Sequence, residues 1–221
     1  MLAELRLYQL ISPTLPVGGF TYSQGLEWAV AANWVHDRDT LQDWMAGLLA
    51  HSIVTLELPV LLRLQHAFEK ANDIDVTRWS NYLLANRETL ELRKEERQRG
   101  AALARLLRSL DVGIPPALEK TVAGCQLAGI ALAANSWNIA PQRTCSGYAW
   151  SWLENSVMAG VKLIPLGQTQ GQQILLQLAA TIPDAVAAAS ALTDDAIGSS
   201  TPALAIASSN HETQYTRLFR S

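Results

Sequence analysis

The sequence predicts an all-α fold: a single helical-bundle domain of about ten helices, residues 1–197, followed by a flexible linker and C-terminal tail, 198–221. Three observations carry this. Hydrophobic residues make up 49% of the 221 positions, and they are mostly Ala and Leu, which favour helix, rather than Val, Ile and Thr, which favour strand. Apolar residues recur at i, i+3, i+4 spacing through most of the chain. No segment alternates as a half-buried strand would, and no internal repeat of 20–50 residues occurs.

Leu5, Leu7, Leu10 and Ile11 open a short first helix. Ser12 to Gly19 is a breaker loop, with two prolines that fix φ and paired glycines that permit φ > 0. Thr21 and Gln24 have capping-box spacing, which predicts a second helix from Thr21 to about Ala32. Asp39 is a candidate cap for a third helix striped by Leu41, Trp44, Met45, Leu48 and Leu49. A fourth helix fits Glu57 to Lys70, with Pro59 in its first turn. A fifth, capped by Asp75, carries Trp79, Leu83 and Leu84.

The sixth predicted helix is long and amphipathic, Arg87 to Leu110. Its Arg and Lys interleave with Glu88, Glu91, Glu95 and Glu96, which reads as a solvated face with salt-bridge spacing. Asp111 to Pro116 ends it. A seventh helix is expected from Pro116 to Asn135, within which Val122 to Ala134 is too short to span a bilayer and reads as buried. An eighth fits Gln142 to Lys162, and Leu163 to Gly167 breaks the pattern. The ninth runs from Gln168 to Thr181 and the tenth from Pro183 to about Ile197.

Gly198 to Pro202 reads as a linker, and His211 to Ser221 as a tail of unusual composition. Were the tip helical, Tyr215, Leu218 and Phe219 would share a face, although alone it is too short to be a stable helix. Tyr, Phe and Arg are favoured at binding hot spots. The tail either orders on a partner, which its composition favours, or folds back onto its own domain.

Known chemistries are missing. Net charge is −3, so no global basic field attracts nucleic acid. There is no P-loop and no nucleophile elbow. His36, His51, His66 and His211 are scattered singly, and no cysteine lies at metal-ligand spacing from them. Glu95 and Glu96 are adjacent on a helix and diverge by about 100°, so they make no acid/base pair. No catalytic residue, cofactor site or metal site is expected. Met1 to Arg6 lacks the features of a signal peptide, and Cys125 and Cys145 lie in apolar helical context. A cytoplasmic location without a structural disulfide is expected, and no membrane span.

Three stretches resemble the UreF family of urease accessory proteins. They are Ser12 to Glu27 (SPTLPVGGFTYSQGLE), Asn155 to Gln168 (NSVMAGVKLIPLGQ) with Gly171 and Gln172, and His211 to Ser221 (HETQYTRLFRS). Arg87 to Gly100 is similar too. Gly19 and Thr216 stand where Ala and Ser are usual, and an acidic residue common near Ala205 is missing.

The resemblance implies an all-α, dimeric, non-catalytic protein that binds UreD (also called UreH), recruits the GTPase UreG and helps load nickel into apo-urease. Carried over residue by residue, it makes His211, Glu212, Gln214, Tyr215, Arg217, Leu218, Phe219 and Arg220 the UreD-docking tail. In the first stretch it makes Tyr22, Ser23 and Glu27 candidate partner contacts. Lys162 is either a charged contact or a cation at a helix C-terminus. A second implied role is regulation of UreG GTP hydrolysis, with Gln24, Gln168, Arg217 and Arg220 as the available finger residues.

Overall fold

A computed structural model describes residues 1–221. It is all-α, with no strand. Helix α1 (Leu2–Ile11) precedes the breaker loop and lies on α9 (Pro141–Leu163). The second predicted helix starts late, as α2 (Leu26–Ala31). Gln24 (φ 53°) and Gly25 (φ 81°) are both left-handed, so the helix cannot begin before Leu26. Gly25 is required for a second reason: a Cβ there would sit 2.6 Å from the backbone nitrogen of Ser208. Thr21 instead closes a 3-10 turn, Gly19–Thr21, its hydroxyl donating to the Gly18 carbonyl.

The third and fourth predicted helices are one rod, Arg38–Glu69. It consists of α3 (Arg38–Leu48), a π-helical stretch (Leu49–Glu57) and α4 (Leu58–Glu69). Its cap is Asp37, not Asp39: Asp37 and Thr40 form a reciprocal capping box. π-Helical carbonyls are met from outside, where Gly198 N–H donates to the Thr55 carbonyl. The rod is long and apolar enough to cross a membrane by length and composition, but 61% of its most apolar window is buried in the domain. α4 runs through the core against α5 (Asp73–Ala85), α8 (Gln126–Ser136) and α9.

The cap of α5 is Asn72 rather than Asp75, because the Asn72 side chain accepts the Asp75 N–H. Thr89 caps α6 (Leu90–Ser109) in the same way. The seventh predicted helix is broken in two, α7 (Glu119–Gly124) and α8, at an extended Cys125. Gly100 of α6 lets the Cys125 backbone approach so closely that a Cβ would be 2.9 Å from its nitrogen. Glu96 then caps α8 from a neighbouring helix, accepting the N–H groups of Gln126 (2.7 Å) and Leu127 (3.3 Å). α10 (Gln168–Ala179) packs on α9 and α3, and α11 (Ile182–Ala191) on α9 and α4.

Two expectations are corrected here. The linker region holds a further helix, α12 (Pro202–His211), with Pro202 in its first turn, packed on α2 and α6. The charged face expected on α6 is solvated only in part: Glu88, Lys94 and Arg97 are exposed, but Glu91, Glu95 and Glu96 are buried, as is Arg87 just before the helix. The Arg87 guanidinium donates to Glu57 (2.7 Å), 30 residues before it, and to Glu96 (3.0 Å) on the helix that follows it. Burial alone would push Arg87 down, but Glu57 and Glu96 beside it hold it well above its ordinary value. Tyr148 donates to the other Glu57 oxygen, and burial pushes its phenol up.

Cys125 and Cys145 are free and buried. Burial pushes the Cys145 thiol up to about 12 and Cys125 higher still. Neither should react with dithionitrobenzoate at about pH 8 while the protein is folded, because the thiolate is the nucleophile. Both should titrate once urea unfolds the chain, and a fast native-state reaction would contradict this packing.

Candidate partner-binding surface

The stretches singled out at the two ends of the sequence meet in space. α2 brings Glu27, α6 brings Glu91 and Glu95, and α12 delivers residues 211–221 between them. His211 is fully buried. One ring nitrogen lies 2.7 Å from Glu91 and the other 3.2 Å from Glu27. Each carboxylate also holds the tail beyond it. Glu91 pairs with Arg217 at 2.7 Å. Glu27 accepts the backbone N–H groups of Leu218 (2.6 Å) and Phe219 (2.9 Å). An ionised carboxylate accepting several N–H bonds is a strong anchor.

Further along, Arg220 N–H donates to the Thr21 carbonyl at 2.9 Å, and Ser23 donates through both N–H and hydroxyl to the Ser221 carbonyl. The Ser221 hydroxyl bonds Glu95 at 3.2 Å. Phe219 is buried, with the Lys162 ammonium 5.9 Å from its ring centroid. Lys162 thus sits in the last turn of α9 and also over the tail. Glu212 accepts the Glu91 N–H and so caps α6.

The thirteen residues expected at a partner surface therefore divide. Tyr22, Ser23, Glu27, His211 and Phe219 are buried in their own domain and position the tail; Tyr22 donates to Gln98. Glu212 and Gln214 are half-buried, and Gln214 bonds locally to the Thr216 carbonyl. Tyr215, Arg217, Leu218, Arg220, Lys162 and Gln168 are exposed, but Gln168, in the first turn of α10, makes no hydrogen bond to the cluster. The expected shared face is corrected. The tip has no helix, so Phe219 turns inward while Tyr215 and Leu218 point to solvent, at 103% and 66% relative exposure.

Sequence reasoning missed Phe20, which is 56% exposed and next to the Thr21–Arg220 bond. An aromatic residue inside a loop of turn formers was the available signal. It also missed Glu91 and Glu95 as anchors, for which the sequence offered only a charge pattern.

The profile of the UreF family matches residues 35–179. Proteins named urease accessory protein UreF are similar to the chain over nearly their whole length. One from Pseudomonas putida is 54% identical over 221 residues, covering 100% of this chain and 98% of its own. One from Alcanivorax borkumensis is 52% identical, covering 99% and 98%, and one from Klebsiella pneumoniae is 48% identical, covering 99% and 97%. The chain belongs to the UreF family. In this UreF-family chain the profile match ends before α12, so the tail junction lies outside the matched residues and inside the full-length similarity.

Proposed function

We propose that the chain is a non-catalytic scaffold of urease maturation. It binds UreD (UreH) through its tail, recruits the GTPase UreG and presents both to apo-urease for nickel insertion, as a homodimer within a cytoplasmic complex. The observation that supports this reading is the tail's geometry. Backbone and acidic anchors fix the tail on the domain, yet its Tyr215 and Leu218 side chains are exposed to solvent. A rigidly held aromatic and aliphatic pair flanked by arginines is the composition of a binding hot spot, and pre-ordering reduces the entropy lost on association.

The test is co-purification of UreD with a Tyr215→Ala, Leu218→Ala double variant. Because both side chains are solvent-exposed, the variant should keep the parent unfolding midpoint while binding weakens by about 2 kcal/mol or more. Undiminished retention of UreD would remove the tail from the interface.

A second reading, control of UreG GTP hydrolysis, draws on Arg220. Its backbone is fixed to Thr21 while its side chain is exposed and makes no ion pair. Arg220→Ala should then slow GTP turnover by UreG when variant and parent complexes are compared at equal UreD content.

A further inference from the structure

We propose that the outward face of α6 is a second docking surface, built for an acidic amphipathic helix of a partner protein. Leu90, Lys94, Arg97, Ala101, Arg105 and Arg108 follow one another in steps of four, three, four, four and three residues. At about 100° and 1.5 Å per residue they fall within an arc of about 80° and extend over about 27 Å of the helix. Ala101 is half-buried and the other five are exposed.

The face is cationic because the helix sends its two signs of charge in opposite directions. Its carboxylates, Glu91, Glu95 and Glu96, are buried, and each is engaged there. Glu91 holds His211 and Arg217, and Glu95 holds Arg99 and the Ser221 hydroxyl. Glu96 holds Arg87 and the first N–H groups of α8. None of them is free to turn outward and neutralise the surface. Lys94, Arg97 and Arg105 make no ion pair, and Arg108 alone on this face has one, with Glu119. Lys94 and Arg97 lie one turn apart, as do Arg105 and Arg108. Like charges at that spacing repel, and an anion from outside relieves the repulsion.

Two features select the occupant. The first is the arrangement of the cations in two pairs about three turns apart, with Ala101 between them. A small side chain there lets a second helix lie close, so that two groups of its carboxylates meet the two pairs. Leu90 adds an apolar contact at one end. The second feature is that the stripe is finite. Glu88 and Asp111, both exposed, lie just beyond its two ends, and the whole chain carries a net charge of −3. A nucleic-acid duplex or an anionic membrane continues past the stripe and meets those carboxylates, whereas a short acidic helix ends within it. None of the six residues bonds to the tail, so this surface does not rest on the UreD reading.

The experiment titrates the full chain against a fluorescein-labelled, Ala-rich helical peptide carrying Glu in two one-turn pairs set three turns apart. The controls are an isomer with the same Glu residues spread around the helix, a short DNA duplex, and vesicles of phosphatidylserine and phosphatidylcholine. The patterned peptide should bind at least about ten-fold more tightly than its isomer, and neither duplex nor vesicles should compete with it. Lys94→Glu with Arg105→Glu should abolish the binding. Lys94→Gln with Arg105→Gln, which introduces no repulsion, should leave it between the two. Both positions are exposed, so both variants should keep the parental unfolding midpoint. The Tyr215→Ala, Leu218→Ala variant should bind the peptide as the parent does. Equal affinity for the isomer, parental binding by the charge-reversed variant, or displacement by duplex or vesicles would overturn the proposal. Loss of binding in the tail variant would do the same, by placing the peptide on the tail.

Discussion

Glu27→Ala is expected to release the tail from the domain. The substitution leaves two backbone N–H groups, of Leu218 and Phe219, without their acceptor, and removes one of the two carboxylates that flank buried His211. Stranding buried donors costs about 1–3 kcal/mol each. These costs do not add without limit, because a tail that undocks regains water for all of its groups. The loss is therefore capped at the free energy of docking, and the observable is tail release rather than global unfolding. Trypsin cleavage after Arg217, followed by mass spectrometry, measures this: the bond should be cut at least about ten-fold faster than in the parent. Cleavage at the parental rate would mean that Glu27 does not hold the tail. Glu27→Gln keeps an oxygen acceptor but no charge and should fall between the two.

Arg87→Ala should cost more in global stability than any exposed substitution in the chain. The guanidinium bridges Glu57 on the π-helical stretch to Glu96 on α6, and all three side chains are almost wholly buried. Without it two carboxylates face each other's field with no cation between them, a loss of about 3–5 kcal/mol. Glu96 also caps α8, so the disturbance reaches the centre of the core. Arg87→Lys keeps the charge but offers a point cation instead of a fork and cannot serve both carboxylates equally. Urea unfolding followed by circular dichroism decides the case. A change below about 1 kcal/mol, the range of exposed ion pairs, would show that water reaches this cluster.

The helices were legible in the sequence because their apolar spacing is a local property. α9, α10 and α6 lie close to where periodicity places them. Breaks imposed from elsewhere were not legible. Gly124 is the local sign of the break at Cys125, but one glycine in an Ala- and Leu-rich run does not fix a kink, and the contacts that hold it come from Gly100 and Glu96, 25 or more residues away. The same holds for the charges on α6. Glu and Arg at helical spacing look alike whether they face water or partners such as Glu57 and His211, whose positions only the tertiary fold reveals. α12 was missed although Pro202 offered a first-turn signal, because glycine and two serines before it read as a linker.

At the candidate surface, the tail residues were found by composition and resemblance, but their division into anchors and exposed contacts was not. Tyr215 and Phe219 are both aromatic; only the path of the backbone past Glu27 decides which faces out.

The bond between Ser23 and Ser221 joins residues 198 positions apart. Synthesis proceeds from the other direction: α2 leaves the ribosome long before its last neighbours exist. Until residues near 220 emerge, Glu27, Glu91 and Glu95 stand as an open acidic notch on an otherwise folded bundle. Closing so long a loop comes late, and the outward display of Tyr215 and Leu218 comes with it. A nascent chain therefore cannot present the completed surface until residues 211–221 have been made and have docked.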